Sequence, residues 1–389
     1  MAINNRIAEF TPEMTEWRQH IHQHPETAFE EHNTSDYVAM RLHEFGIEVH
    51  RGLAGTGVVG TLKGSRGDGP AIGLRADMDA LDIEEKNEID YKSENPGKMH
   101  ACGHDGHSAM LLGAAKYLAE TRNFSGTVHF IFQPAEENEA GGRVMVEEGL
   151  FDKFPVESVY GMHNMPGIPV GEFAIRPGPI MASSDIFEIT LTGIGTHAAL
   201  PQLGRDPVIA ASQLVTALQA ITSRTVSPLD AAVVSVTQLH MGDTWNVIPE
   251  EAVIRGTTRA FKPEVQDHLE AELSRVTNGI AAAFSVEARV NYERRYPPTI
   301  NEPLETSLTA DVAREIAGAD MVSLDKDPMM GAEDFAFMLN EKPGAYMWIG
   351  NGPGDGGCML HNPRYDFNDN ILALGASYWA KLAETRLSP

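Results

Sequence analysis

The sequence predicts an α/β protein interrupted by a smaller α+β unit, and three observations carry that expectation. Strand-like and helix-like stretches alternate through roughly the first 180 residues. From about Ser184 the texture changes to open-faced alternation. After Tyr296-Pro297-Pro298 the first texture resumes and continues to the C-terminus. Alternating elements of the first kind imply a largely buried sheet layered with helices.

Taken in order, residues 33–45 (NTSDYVAMRLHEF) place Val38, Met40, Leu42 and Phe45 at helical spacing, with Gly46 as a stop. Gly57–Leu62 and Ala71–Asp77 read as strands on either side of the turn-rich GSRGDGP. A helix is expected from His107 to Thr121, with Met110, Leu111, Ala114, Ala115 and Leu118 on one side. GTVHFIF (126–132) and SVYGM (158–162) read as further strands. In the second texture, DIFEITLTGIGTH alternates like a half-exposed strand and Asp206–Ser223 reads as an amphipathic helix. Strands Ala232–His240 and Ala252–Phe261 follow, then a helix from Pro263 to Ala283 and a strand over Ser285–Arg294. The order β-α-β-β-α-β is the ferredoxin-like motif. The expected organisation is therefore a domain of residues 183–295 inserted into a discontinuous one made of 1–182 and 296–389.

Composition limits the partners. The chain has 389 residues, 42% hydrophobic and 22% charged, an ordinary globular mixture long enough for two units. Its 55 acidic and 30 basic residues give a formal charge of −25, which repels phosphate backbones and anionic headgroups. Nucleic acid and membranes are not expected partners. An anionic substrate would have to meet local positive charge: a metal pair or a few placed arginines. With two cysteines, Cys102 and Cys358, no disulfide framework is expected. No basic-then-apolar leader opens the sequence and no run of about 18 apolar residues occurs. These features read as a soluble, cytoplasmic protein.

The chemistry-bearing residues follow predicted strands, where ligands gather in open α/β sheets. In MHACGHDGH (99–107), an extended chain would turn Cys102 and His104 to one side, and thiolate and imidazole both suit zinc-like ions. A buried cysteine beside a helix-start histidine is the alternative. After GTVHFIF, Pro134 ends the ladder, and Glu136 and Glu137 project differently, so one can bind metal while the other moves protons. A solvated acidic turn would look the same. His163 follows SVYGM, and His361 lies in MLHNPRYDF. Among 15 histidines, His20, His22, His24 and His32 crowd the N-terminus and read mostly as surface residues. His24-Pro25-Glu26 could shape a site rim. Five donors exceed one tetrahedral zinc with an open water position. They suit two ions roughly 3.5–4 Å apart, with a free carboxylate, Glu136, taking the proton of the activated water.

Eight segments carry a resemblance across nearly the whole chain: RADMDAL (75–81), MHACGHDGH (99–107), FQPAEE (132–137), GMHNMPG (161–167), GTHAALPQLGRDPV (195–208), NVIPEEAVIRGTTRAF (246–261), MGAEDFAFM (330–338) and LHNPRYDF (360–367). In these the chain resembles the aminoacylase and carboxypeptidase-like amidohydrolases, in the branch with hippurate hydrolases and indole-acetyl-amino-acid hydrolases. The resemblance implies a di-metal exopeptidase-like catalytic domain with a lid and dimerisation insert, hence a homodimer. It implies Cys102, His104, Glu137, His163 and His361 as ligands of two divalent ions per subunit (Zn, Mn, Ni or Co), with Glu136 as general base. It further implies that His197 and Asn246 bind the oxyanion, in cis or across the dimer, that Arg259 receives the substrate carboxylate, and that Asp79 orients a metal-binding histidine. Glu333 and Asp334, in GAEDF, could cap the following helix while lining the site.

The expected activity is hydrolysis of an N-acyl amino acid to a carboxylic acid and a free amino acid. A dipeptidase or aminopeptidase on the same fold would need an acidic recognition point for a free amine, which the sequence does not identify. A non-catalytic metal-binding dimer would have lost the proton carrier or a ligand; here Glu136 and all five candidates are present.

Overall fold

The protein is described by a computed structural model over residues 3–137, 139–353 and 358–388. The chain divides into two compact units: Met1–Ile180 with Ile300–Asp327 and Asp334–Pro389, and Met181–Thr299 with Pro328–Glu333.

The first unit is built on an eight-stranded sheet. Its centre is four parallel neighbours in the order Thr127–Gln133, Ala71–Asp77, Ser158–Pro166 and Gly344–Gly352. Strands Ser158–Pro166 and Gly344–Gly352 are buried at every position, as a parallel sheet covered on both faces requires. Glu48–Leu53 and Gly57–Lys63 extend one edge antiparallel. The helix His104–Thr121 packs between Thr11–Gln23 and Leu372–Arg386. The approach is close at Gly113, where a Cβ would stand 2.3 Å from Met14 Sδ and 3.2 Å from Ala376 Cβ.

Three local expectations need correction. The helix begins at His104, not His107, because Gly103 takes φ +96° and turns the chain directly into its first turn. Strand SVYGM continues to Pro166, so His163 lies within a strand rather than after one. His22 is fully buried, not a surface residue: its ring joins Asp105 at 2.9 Å and Glu85 at 3.2 Å. Arg18 is buried with it, bonded to Asp366 and Asp369. A polar stretch can go inside when each charge finds its counter-charge.

The second unit carries a four-stranded antiparallel sheet in the order Ala232–Met241, Glu251–Ala260, Ser184–Thr192, Glu287–Tyr296. Helices Pro207–Ala220 and Pro263–Phe284 bury Leu214, Leu218, Leu269 and Leu273 in one core with Phe187, Ile189, Leu191 and Ile254. Asp206 caps the first of these helices by accepting the Val208 N–H at 2.8 Å. Chain order and sheet order together are ferredoxin-like. No helix among the described residues is long and apolar enough to cross a membrane.

Candidate metal centre

The carboxyl ends of the central parallel strands hold the chemistry. Cys102 precedes the helix that His104 opens, and the intervening Gly103 has no room for a side chain. A Cβ there would lie 2.2 Å from Asn164 Oδ1 and 2.7 Å from the Tyr365 hydroxyl. Cys102 Sγ stands 3.3 Å from His163 Nε2. The opposite nitrogen of each imidazole is committed: His163 Nδ1–H donates to Asn164 O at 2.6 Å, and His104 Nδ1–H to Asp79 O at 2.9 Å. Both Nε2 atoms are thereby left as candidate ligand atoms.

The strand Thr127–Gln133 ends before Pro134, and Ala135 turns at φ +54°. Glu136, buried, accepts the Asp334 N–H at 3.4 Å. Glu137 is oriented through its own N–H, which donates to Asp79 Oδ2 at 2.8 Å. His361, at φ +64°, brings Nε2 to 3.0 Å from Glu137 Oε1. Three donor groups overlap: Cys102 with His104 and His163, Cys102 with Glu137 and His361, and His104 with Glu136 and Glu137. In each, the donor atoms lie within 4.8 Å of one another.

These groups fit a pair of cations. His104 Nε2 and Glu137 Oε1 are buried with no hydrogen-bond partner among the described residues, and the 3.0 Å approach of His361 to Glu137 does not supply one. Buried polar atoms are rarely left so. Burial, with Glu137 and Glu136 beside it, pushes the Cys102 thiol well up, so a neighbouring cation is what would make it a thiolate. Burial, with His107 beside it, holds His163 well below the usual imidazole range, and hence neutral, as a ligand must be. Burial lowers His104 too, but Asp77 and Asp79 outweigh it and raise the group to about 10 in the metal-free chain. Nitrogen, sulfur and carboxylate donors together suit zinc-like ions.

A second layer was not singled out by the sequence. Asp77 accepts the His107 Nδ1–H at 2.6 Å and an Arg75 N–H at 2.8 Å. His107 Nε2 in turn meets the Asn164 N–H at 3.0 Å, on the residue whose carbonyl takes His163. Burial alone would raise Asp77; His104, Arg75 and His107 outweigh it and hold the carboxyl well below its usual range. The available signal was an arginine and an aspartate two residues apart in an otherwise apolar strand, hence on one face. Asp334 also differs from expectation. It stands at the start of helix Phe335–Glu341 without capping it, and instead accepts from Arg75, Gln133 and the Gly142 N–H.

His197, Asn246 and Arg259 belong to the second unit. His197 pairs opposite Val247 in a two-stranded ribbon, and Asn246 O accepts the Ala198 N–H at 2.9 Å. His197 Nδ1 accepts the Ala199 N–H at 3.0 Å, which leaves Nε2–H as an outward donor on an exposed ring. Arg259 donates to Thr257 Oγ1 and Thr258 O, and the Asp185 carboxylate acts on its charge. Burial lowers its pKa.

An imidazole, thiol and carboxylate cluster over the carboxyl ends of a parallel sheet defines the class of α/β metallohydrolases. The chain belongs to peptidase family M20/M25/M40, whose sequence profile matches residues 73–385. It is 42% identical over 377 residues to a hippurate hydrolase of Campylobacter jejuni, covering 97% of each chain. To an N-acetyl-L-cysteine deacetylase of Bacillus subtilis it is 42% identical over 371 residues, covering 95% of this chain and 87% of that one. A solved Bacillus subtilis structure, a dinuclear metal binding peptidase of the M20 family, superposes with a TM-score of 0.86 at 35% identity, covering 98% of this chain and 99% of the other.

Proposed function

We propose that this chain is a metal-dependent amidohydrolase that cleaves N-acyl amino acids into a carboxylic acid and a free amino acid. One observation carries the reading: two sets of donor atoms share Cys102, and the neighbouring carboxylate Glu136 is buried beside His104 and Glu137. Cys102, His104, Glu137, His163 and His361 would hold two divalent ions. The ions, when bound, would acidify water towards neutrality and polarise the scissile carbonyl. Glu136 takes the proton of the attacking water and delivers it to the leaving amine nitrogen. His197 Nε2–H and the Asn246 amide donate to the oxygen on which charge develops. Arg259 receives the substrate carboxylate in charge-assisted hydrogen bonds.

Residues 183–295 are read as a lid that also dimerises, giving a soluble, cytoplasmic homodimer. The relatives' substrates, hippurate and N-acetylcysteine among them, support an N-acyl amino acid over a free peptide. The test is Glu136→Gln with metal quantified in the same sample, assayed on a panel of N-acyl amino acids. Turnover should nearly vanish while metal content stays at the wild-type level. Turnover retained, or metal lost in parallel, would remove Glu136 from the proton-transfer role. Mixing His197→Ala with Glu136→Gln protein tests action across the dimer: regained activity supports it, and no recovery despite subunit exchange refutes it.

A further inference from the structure

We propose that Glu31 is a positioning residue for the reaction, its buried carboxylate holding the turn that aims Glu136; this rests on reading Glu136 as the proton carrier. Glu31 occupies the N-cap position of helix His32–Glu44, yet its side chain makes no cap bond. Glu26 performs the capping instead, accepting the Asn33 N–H at 3.2 Å and the Thr34 N–H at 2.9 Å. The Glu31 carboxylate is thus released to reach across the fold while remaining fully buried.

It reaches the backbone of the catalytic turn. Glu31 Oε1 accepts the Ala135 N–H at 2.9 Å and the Phe29 N–H at 3.1 Å, and Oε2 accepts the Thr56 hydroxyl at 2.7 Å. Ala135 and Phe29 both carry side chains at positive φ, +54° and +62°. Such conformations persist where surrounding bonds over-determine them. Ala135 is pinned from both sides, because its carbonyl accepts the Gly141 N–H at 2.8 Å. Glu136 and Glu137 are the next two residues. The Glu137 amide is fixed separately by Asp79, so the Ala135 bond bears most directly on Glu136.

The geometry requires acceptors, not charge. In Glu31→Gln the amide oxygen can take the place of Oε1 and accept both N–H groups. The amide nitrogen, in place of Oε2, can donate to the Thr56 hydroxyl. Glu31→Leu keeps much of the volume and offers no acceptor, leaving the Ala135 N–H buried and unpaired.

The experiment measures kcat, KM and metal per subunit for both variants on N-benzoylglycine and N-acetyl-L-cysteine. Misaimed by less than an ångström, Glu136 should lose about tenfold or more in kcat in Glu31→Leu, with KM and metal content within about twofold of wild type. Glu31→Gln should recover kcat to within about threefold. Wild-type kcat in Glu31→Leu overturns the proposal. So does an equal loss in the Gln and Leu variants, or a loss that follows metal content. If Glu31→Leu does not fold, Glu31→Asp carries the same test, since a side chain one methylene shorter withdraws the acceptor from Ala135. Glu136→Gln assayed alongside separates the two ideas: turnover surviving in it sinks the proton-carrier reading whatever the Glu31 variants do.

Discussion

Asp79 and His104 are joined twice, since the imidazole Nδ1 lies 2.9 Å from the aspartate's carbonyl oxygen and 3.2 Å from its Oδ1. The other carboxylate oxygen accepts the Glu137 N–H at 2.8 Å. One side chain therefore sets the direction of two candidate ligands. In Asp79→Asn, one of the two oxygens becomes an N–H donor and must face a donor already there. Metal affinity, measured by chelator competition, should fall roughly 10–100-fold with the fold intact.

Cys102 belongs to two donor groups, while His361 belongs to one. Removing a shared ligand weakens both sites; removing a terminal one weakens a single site. Elemental analysis after dialysis should find Cys102→Ala well below about one ion per subunit, and His361→Ala close to about one. Equal occupancy in the two variants would contradict a cysteine shared by two donor groups.

His22 makes stability depend on pH. Burial lowers its pKa, but hydrogen bonds to Asp105 and Glu85 outweigh that and raise it to about 9 from 6.5. A group raised in the folded state stabilises fully below its unfolded pKa and loses that contribution as pH climbs through the folded one. The stability gap between wild type and His22→Gln should therefore be widest near pH 6 and shrink through pH 9, by no more than roughly 3 kcal/mol. Urea unfolding at several pH values checks this. A gap that widens with pH would mean His22 is buried neutral.

Among the described residues Arg259 donates to Thr257 Oγ1 and Thr258 O, and the proposal that it receives the substrate carboxylate predicts a loss specific to carboxylate-bearing substrates. Charge-assisted hydrogen bonds of this kind contribute about 1.5–3 kcal/mol, so Arg259→Met should cost about 10–100-fold in kcat/KM on N-benzoylglycine. On N-benzoylglycinamide, which lacks the carboxylate, wild type and variant should differ by less than about threefold.

The sequence determined the strand and helix alternation, the change of texture near Ser184, and the donor types, because periodicity and residue chemistry are local properties. It was less successful where local patterns compete. The MHACGHDGH segment suggested an extended chain facing Cys102 and His104 one way. A single left-handed glycine makes His104 the first residue of a helix instead. The polarity around His22 suggested solvent, because the compensating Asp105 and Glu85 are 83 and 63 residues away in sequence. Only the tertiary structure decided which polar groups meet: Asp79 with the Glu137 amide, Asp77 with His107, Glu31 with Ala135. The reason is physical. A buried hydrogen bond is specified by the packing that brings donor and acceptor within about 3 Å, and no spacing along a single strand or helix encodes that distance.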